Sequence, residues 1–375
     1  MEVYDWMGSP YIFSIEAKPI QSGAEGDVYK GFFGSEGETV PIAAKKLRAS
    51  PSQREIEIEI ELVNKLHACT DPAAGIFCFK GIIANKATLD LLEVNLTNKG
   101  IFFRPFRYES ADSDVYIISN FLEGKEVFDY IVDNTLTVPQ KLSIIKQLLK
   151  VLTRLHSNNI VHGDIKPENI FYNDKTDLLT VYDFGFSCKR DTCVLLNKGT
   201  IQYVSPEQLG PALGRPPRPA DPFKVDIFAA GQVLFSLLFR AGYIATIGGV
   251  EIEKSPANAK RFQDQILNAT KRINTLPHKE YAKTEFLKKF SPELYALFMR
   301  MIAQNPAHRP TAIEALGTLQ ELERTDKLYV AAAPAASVAS PLANRSLLSR
   351  YSSTLRGGRT RQLRKKKQTR RTKRY

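Results

Sequence analysis

The stretch His162-Gly163-Asp164-Ile165-Lys166-Pro167-Glu168-Asn169, followed fourteen residues later by Asp183-Phe184-Gly185, constrains this chain more than any other feature. It sets the carboxylates of Asp164 and Asp183, the amide of Asn169 and the ammonium of Lys166 on neighbouring polar loops. Carboxylates and amides are hard oxygen ligands or acceptors of the kind that suits Mg2+. Any fold the chain adopts has to present these loops together, and the group they suit is a phosphate with its metal ions.

At 375 residues the chain exceeds one small core and fits a two-lobed enzyme, or one large domain with a tail. Its formal charge of +12 invites a nucleic-acid reading, but the location of the charge decides otherwise. Fourteen of the Lys and Arg residues lie from Lys327 onward and no acid follows Asp326, so residues 1–326 hold 38 basic against 40 acidic groups. The body is nearly neutral, and the basicity belongs to a tail over 327–375. That tail turns to Ala, Ser and Pro and then to Arg and Lys, a composition that buries too little apolar surface to order itself.

Cys69, Cys78, Cys188 and Cys193 follow no regular spacing, and no signal peptide is visible. Free thiols in a reducing interior are the expectation, with a cytoplasmic or nuclear location and no zinc site. The most apolar stretch, Asp226 to Val250, is interrupted by Gln232, Ser236 and Arg240 and reads as a buried core helix, not a membrane span.

Along the chain, Phe13–Ile20, Asp27–Phe33 and Val40–Leu47 read as strands separated by Gly-rich turns. Pro51–His67 reads as a helix, with Ile56, Ile60, Val63 and Leu66 on one face. Strands recur at Ile76–Ile83 and Val115–Phe121, and the segment 85–113 reads as an inserted hairpin or extended loop. After Gly124 the pattern is helical: Gln140–Ser157, Lys224–Phe239, Pro292–Ala303 and Thr311–Glu323.

The octet and the Asp-Phe-Gly triad resemble the catalytic and metal-binding loops of the eukaryotic protein kinase family, serine/threonine branch. The resemblance runs from residue 11 to 323. It implies an α+β fold with a small β-rich lobe (about 11–119), a hinge (120–124) and a larger helical lobe (125–323). It also implies ATP and Mg2+ as the cofactors and a protein with a Ser or Thr acceptor as substrate. Asp164 would accept the hydroxyl proton, Lys166 would neutralise the transferring phosphoryl, and Asn169 with Asp183 would hold the metal. Gly23-Ala24-Glu25-Gly26 matches the phosphate flap through Gly23 and Gly26, with Gln21 where the family has its first glycine. Ile42-Ala43-Ala44-Lys45 matches the strand whose Lys pairs with the α- and β-phosphates. Its helix partner is one of Glu55, Glu57, Glu59 and Glu61; Glu59 fits best, because Leu62, Val63 and Leu66 follow it at the family's apolar offsets.

By the same resemblance Val28, Ala43 and Phe171 would sandwich the purine, Asn120 and Leu122 would supply hinge contacts, Glu126 would meet the ribose, and Ser119 would guard the back pocket. Glu207 would pair with Arg309, Asp226 would brace the catalytic loop, and Thr200 would bond the catalytic Asp and Lys. Glu168 and Glu126 resemble acids that attract arginine in the substrates of basophilic kinases. Gly163 stands where many relatives carry the Arg that clamps a phosphorylated activation loop, so phosphorylation of Thr192 is expected to be dispensable.

The tail invites an import receptor, a nucleic acid or an acidic protein as partner, and Arg350 three residues before Ser353 suggests autophosphorylation. Such Arg/Lys-rich ends also resemble those of proteins from large DNA viruses. The rival readings are a pseudokinase scaffold, a small-molecule kinase, and a nucleic-acid-binding protein resting on the tail alone.

Overall fold

A computed structural model describes residues 1–5, 7–22, 26–47, 75–76, 79–97, 104–109, 114–195, 199–209, 221–250, 256–271 and 278–329. The chain divides into two units, Met1–Gly124 with Phe171–Ser187, and Lys125–Ile170 with the residues from Cys188 onward. The first is β-rich and the second helical, an α+β architecture.

In the first unit eight strands make one sheet: β1 (Glu2–Tyr4), β2 (Pro10–Ile15), β3 (Gln21–Ser22), β4 (Gly26–Ser35), β5 (Glu38–Leu47), β6 (Phe79–Asn85), β7 (Pro105–Tyr108) and β8 (Tyr116–Asn120). Their order is β2-β1-β7-β6-β8-β5-β4-β3, and β2 also pairs with β4, so the sheet closes on itself. Every strand of the ring contributes to the interior: Val3, Phe13, Phe33, Ile42, Ile83, Phe106 and Ile118 are all buried there. Phe33 and Phe106 meet edge to face at 4.7 Å. Closure removes the exposed edges that an open sheet has to protect.

Several sequence expectations change here. The strand expected over 13–20 ends at Ile15: β2 covers Pro10–Ile15, residues 16–20 belong to no strand, and β3 begins only at Gln21. The fold begins before residue 11, because Val3 of β1 lies opposite Tyr11 of β2. The segment 85–113 is neither a hairpin nor an extended loop in its described parts. It carries helix α1 (Lys86–Thr97) and then β7, which lies parallel to β6 with Ile83 opposite Phe106. Parallel neighbours need a crossover of this kind. Leu89 and Leu92 of α1 are buried.

The second unit is built on α2 (Val127–Asp133), α3 (Val138–Ser157), α4 (Phe223–Phe239), α5 (Tyr243–Gly248), α6 (Ala259–Lys271), α7 (Lys279–Leu287), α8 (Pro292–Met301) and α9 (Ala312–Arg324). Thr137 starts α3 with a capping box: its hydroxyl accepts the Gln140 N–H at 3.4 Å and its own N–H donates to Gln140 Oε1 at 2.9 Å. Leu142, Ile145, Leu148, Leu149, Leu152 and Leu155 form the buried face of this helix. α3 packs against α4 and α9, and α4 against α8. Residues 225–239 of α4 are buried on every side, as a helix at the centre of a helical unit must be. Among the described residues no helix is long and apolar enough to cross a membrane. Leu328 is buried and its carbonyl accepts the Ser291 N–H at 3.1 Å, so the folded body extends past residue 323. The basic segment 330–375 lies outside the described residues, as do Gly23, the 51–67 stretch with Glu55, Glu57, Glu59 and Glu61, Cys69 and Cys78.

Candidate active site

The octet follows a two-residue strand, β9 (Ile160–Val161), which leaves α3 through Asn159 in the left-handed region at φ 61. Asn tolerates that conformation better than most residues. The loop backbone is then held by one carboxylate. His162 N–H donates to Asp226 Oδ2 and Gly163 N–H to Asp226 Oδ1, each at 2.9 Å. His156 Nε2 lies 3.0 Å from the same Oδ2, and its ring stacks on Phe223 at 4.4 Å. Gly163 has φ 83, a conformation that a side chain at this position would strain.

Asp164 is 4% exposed and held at both carboxylate oxygens. Oδ1 accepts the Thr200 backbone N–H at 2.9 Å; Oδ2 accepts Lys166 Nζ at 2.5 Å and Asn169 Nδ2 at 3.3 Å. Asn169 Nδ2 also donates to the Asp164 carbonyl at 2.9 Å, and Lys166 Nζ to Thr200 Oγ1 at 3.1 Å. Such charge-assisted bonds leave the carboxylate little freedom to rotate. The short turn Pro167–Asn169 is what brings the Asn169 amide back beneath Asp164. Its nitrogen is committed to the loop, so its oxygen is the group a cation would use.

In the first unit, strand alternation separates two faces of β5. Ile42 and Ala44 are fully buried in the closed sheet, which puts Ala43 and Lys45 on its outer face. Val28 lies opposite Lys45 on β4, and Ile117 opposite Lys45 on β8. Ser119 lies opposite Ala43, so Val28, Ala43, Lys45 and Ser119 share one face. Gly26 sits where β4 meets β5: a Cβ there would run into the Lys46 carbonyl. Asn120 closes β8, and Leu122 follows on the stretch that leads out of the sheet. Phe171 meets Tyr182 edge to face at 5.8 Å. Asp183 adopts φ 65, and its Oδ1 accepts the Gly185 N–H at 3.4 Å. A left-handed non-glycine residue at a polar loop is the kind of strain that functional sites hold. Glu126, in the second unit, is buried just before α2.

Two further groups belong to the second unit. Arg309, its side chain fully buried, donates to Glu207 through Nη1 at 2.5 Å and Nη2 at 2.8 Å, and to the carbonyls of Lys224 at 2.9 Å and Ala303 at 2.7 Å. Burial, with the Glu168 charge adding to it, pushes the Tyr203 phenol far above its usual range, so the ring stays neutral. The cysteines depart from the sequence reading. Cys188 and Cys193 form a disulfide with Cα atoms 5.2 Å apart, where free thiols were expected. His156 was also missed; the signal available was a histidine in the last turn of an amphipathic helix six residues before His162.

The family model described as the protein kinase domain matches residues 15–319. The chain belongs to the protein kinase domain family. The phosphorylase b kinase gamma catalytic chain, liver/testis isoform, of Mus musculus is 37% identical over 134 residues, 35% of this chain and 32% of that protein. The serine/threonine-protein kinase DCLK3 of Homo sapiens is 30% identical over 213 residues, covering 56% of this kinase and 29% of the relative. The serine/threonine-protein kinase PrkC of Bacillus subtilis (strain 168) is 26% identical over 230 residues, 53% and 34% of the two chains. The kinase domain thus spans about a third of the length of the curated relatives it matches.

Proposed function

We propose that this kinase domain transfers the γ-phosphoryl group of Mg-ATP to Ser or Thr hydroxyls of proteins. The observation that carries the reading is the fixed Asp164 carboxylate, bonded by the Thr200 N–H at 2.9 Å and by Lys166 at 2.5 Å. A carboxylate held this way is suited to orient an incoming hydroxyl and take its proton as the new oxygen–phosphorus bond forms and the bond to ADP breaks. Lys166, bonded to the same carboxylate, would offset charge on the transferring group.

Lys45 would receive the α- and β-phosphates, with Gly23 and Gly26 in the flap above them. Val28, Ala43 and Phe171 would enclose the purine, with Asn120 and Leu122 along the hinge and Glu126 at the ribose. Asn169 and Asp183 offer an amide oxygen and a carboxylate, a donor set that fits Mg2+, which keeps its waters and takes few protein ligands. A divalent ion held by these two groups would neutralise charge on the phosphate oxygens. A preference for basic substrates is part of the proposal and rests on Glu168 and Glu126.

The test is a peptide array phosphorylated with Mg-ATP by the full chain and by Asp164→Asn. Transfer to Ser and Thr peptides, enriched where Arg precedes the acceptor and lost in the variant, is the expected result. No transfer by the unmodified chain would leave a scaffold that keeps the fold without the chemistry.

A further inference from the structure

We propose that Cys188 and Cys193 are a reversible redox modification site that holds the start of the activation segment onto the catalytic loop. Their disulfide closes a short loop whose Cα separation of 5.2 Å lies within the span that a disulfide bridges. The loop is anchored on the strand that leads into the octet. In β10 (Cys188–Lys189), Cys188 lies opposite Val161 and Lys189 opposite Ile160, and the Arg190 N–H donates to the Asn159 carbonyl at 2.9 Å. Both cysteines pack against the cluster of Val161, Leu195 and Val225.

A second route joins the same loop to the Asp226 brace. Arg190, within the loop, lies 3.3 Å from Asp221 and places its guanidinium 5.2 Å from the Phe223 ring. Phe223 stacks on His156, which contacts Asp226, which holds the His162 and Gly163 amides. Gly163 carries no guanidinium to clamp a phosphate on this segment, so a covalent clamp takes the place of an ionic one. Thr192 lies inside the disulfide loop, in the turn Arg190–Thr192.

The reaction is thiol–disulfide exchange with a low-molecular-weight disulfide such as glutathione disulfide. One cysteine thiolate attacks it to give a mixed disulfide, and the second displaces the bound thiol. The pair loses two protons and two electrons, and the reagent leaves as two thiols. Both cysteines are half-buried and Val194 beside them is exposed, so a small thiol has access. Oxidation keeps β9 and β10 paired and the catalytic loop braced; reduction loosens both.

The kinetic readout rests on the phosphotransfer reading above, whereas the chemical and exchange readouts do not. The full-length protein is equilibrated in glutathione buffers of stepped thiol-to-disulfide ratio. The peptide containing Cys188 and Cys193 is then mapped by alkylation and mass spectrometry, and amide exchange is followed at Ile160, Val161, Lys189 and Arg190. The pair should interconvert between dithiol and intramolecular disulfide. In the dithiol form, exchange at those amides should rise and peptide phosphorylation fall about tenfold, within the range that coupling through packed side chains gives. Cys193→Ser should stay at the reduced level in every buffer; should it fail to fold, the titration of the unmodified protein still decides. A pair that remains dithiol in the most oxidising buffer, or exchange rates equal in both states, overturns the proposal. Redox-dependent exchange with no phosphorylation in either state would sustain the redox site and reject the phosphotransfer reading.

Discussion

Asp226 holds the Gly163 backbone N–H at 2.9 Å while its other oxygen takes the His162 N–H at the same distance and faces His156 Nε2 at 3.0 Å. One carboxylate, 1% exposed, therefore sets the path of the backbone on the approach to Asp164. It anchors a loop that has no regular secondary structure of its own at this point. Asp226→Asn keeps the size but removes the charge and one of the acceptors. The expected cost is about 1.5–3 kcal/mol, typical of hydrogen bonds to a charged group. Denaturant unfolding measures it, and phosphorylation by the folded fraction should fall as well, because Asp164 loses its support.

Gly163 occupies φ 83, so replacing it with Arg introduces a side chain where the backbone disfavours one. Gly163→Arg should lower stability by roughly 1–2 kcal/mol, the usual cost of a left-handed non-glycine residue. A melting temperature equal to that of the unmodified protein would contradict this. Thr192→Ala, in an exposed turn, should leave phosphorylation within about twofold, since surface substitutions of this kind shift free energies by less than about 0.5 kcal/mol. A folded but inactive Thr192→Ala protein would show that the segment depends on a phosphate after all.

The closed sheet makes Phe106 a structural residue of the first unit, wedged among Tyr11 and Phe33 at 5.1 and 4.7 Å. Phe106→Ala should cost about 3–5 kcal/mol, the range for deleting a buried aromatic ring. If thermal denaturation shows less than about 1 kcal/mol, β7 is not part of the core, since full burial of such a ring stabilises by about 1.5–3 kcal/mol.

How far the sequence revealed this molecule differs from element to element. The contacts of Asp226 and of the Glu207–Arg309 pair were legible because they follow fixed spacing around short loops, and the helices α3, α4, α8 and α9 because their apolar periodicity is long. β1 and β7 were not, since three or four residues cannot display an alternation that chance would not also give. α1 had Leu89 and Leu92 at helical spacing, but the charged residues around them hid the pattern. The pairing of Cys188 with Cys193 was not legible. Two thiols five positions apart signal nothing until the backbone turns at Arg190–Thr192 and brings their Cα atoms together.

Thr311 and Glu314 open α9 with reciprocal bonds: Thr311 N–H to Glu314 Oε2 at 2.8 Å, and Glu314 N–H to Thr311 Oγ1 at 3.3 Å. Thr311→Ala should cost about 0.5–2 kcal/mol as an N-cap loss. The bonds from the Thr311 backbone and hydroxyl hold the Glu314 carboxyl below its usual pKa. A carboxyl lowered in the folded state binds fewer protons than in the unfolded chain. Its contribution is therefore present above the ordinary Glu value of about 4.3 and lost as pH falls through the lowered folded value. Glu314→Gln should consequently destabilise at pH ~7 more than at pH ~3.5, by a small margin because the group is exposed to solvent. Melting temperatures at the two pH values check the sign.

The Glu207–Arg309 pair is largely buried and doubly hydrogen-bonded. Arg309 is fully buried and spends its guanidinium on Glu207 and two carbonyls, so removing Glu207 leaves a buried charge with half its partners. Glu207→Ala should destabilise by about 3–5 kcal/mol, the range for breaking a buried ion pair from one side. Replacing both residues by apolar side chains of similar size should cost less than either single change, because the desolvated charge disappears along with its partner. A double-mutant cycle read by denaturant unfolding tests this directly. If the double variant is as unstable as the sum of the singles, the two residues do not act as a pair, and the segment ending at Glu207 is held to the body by its packing alone.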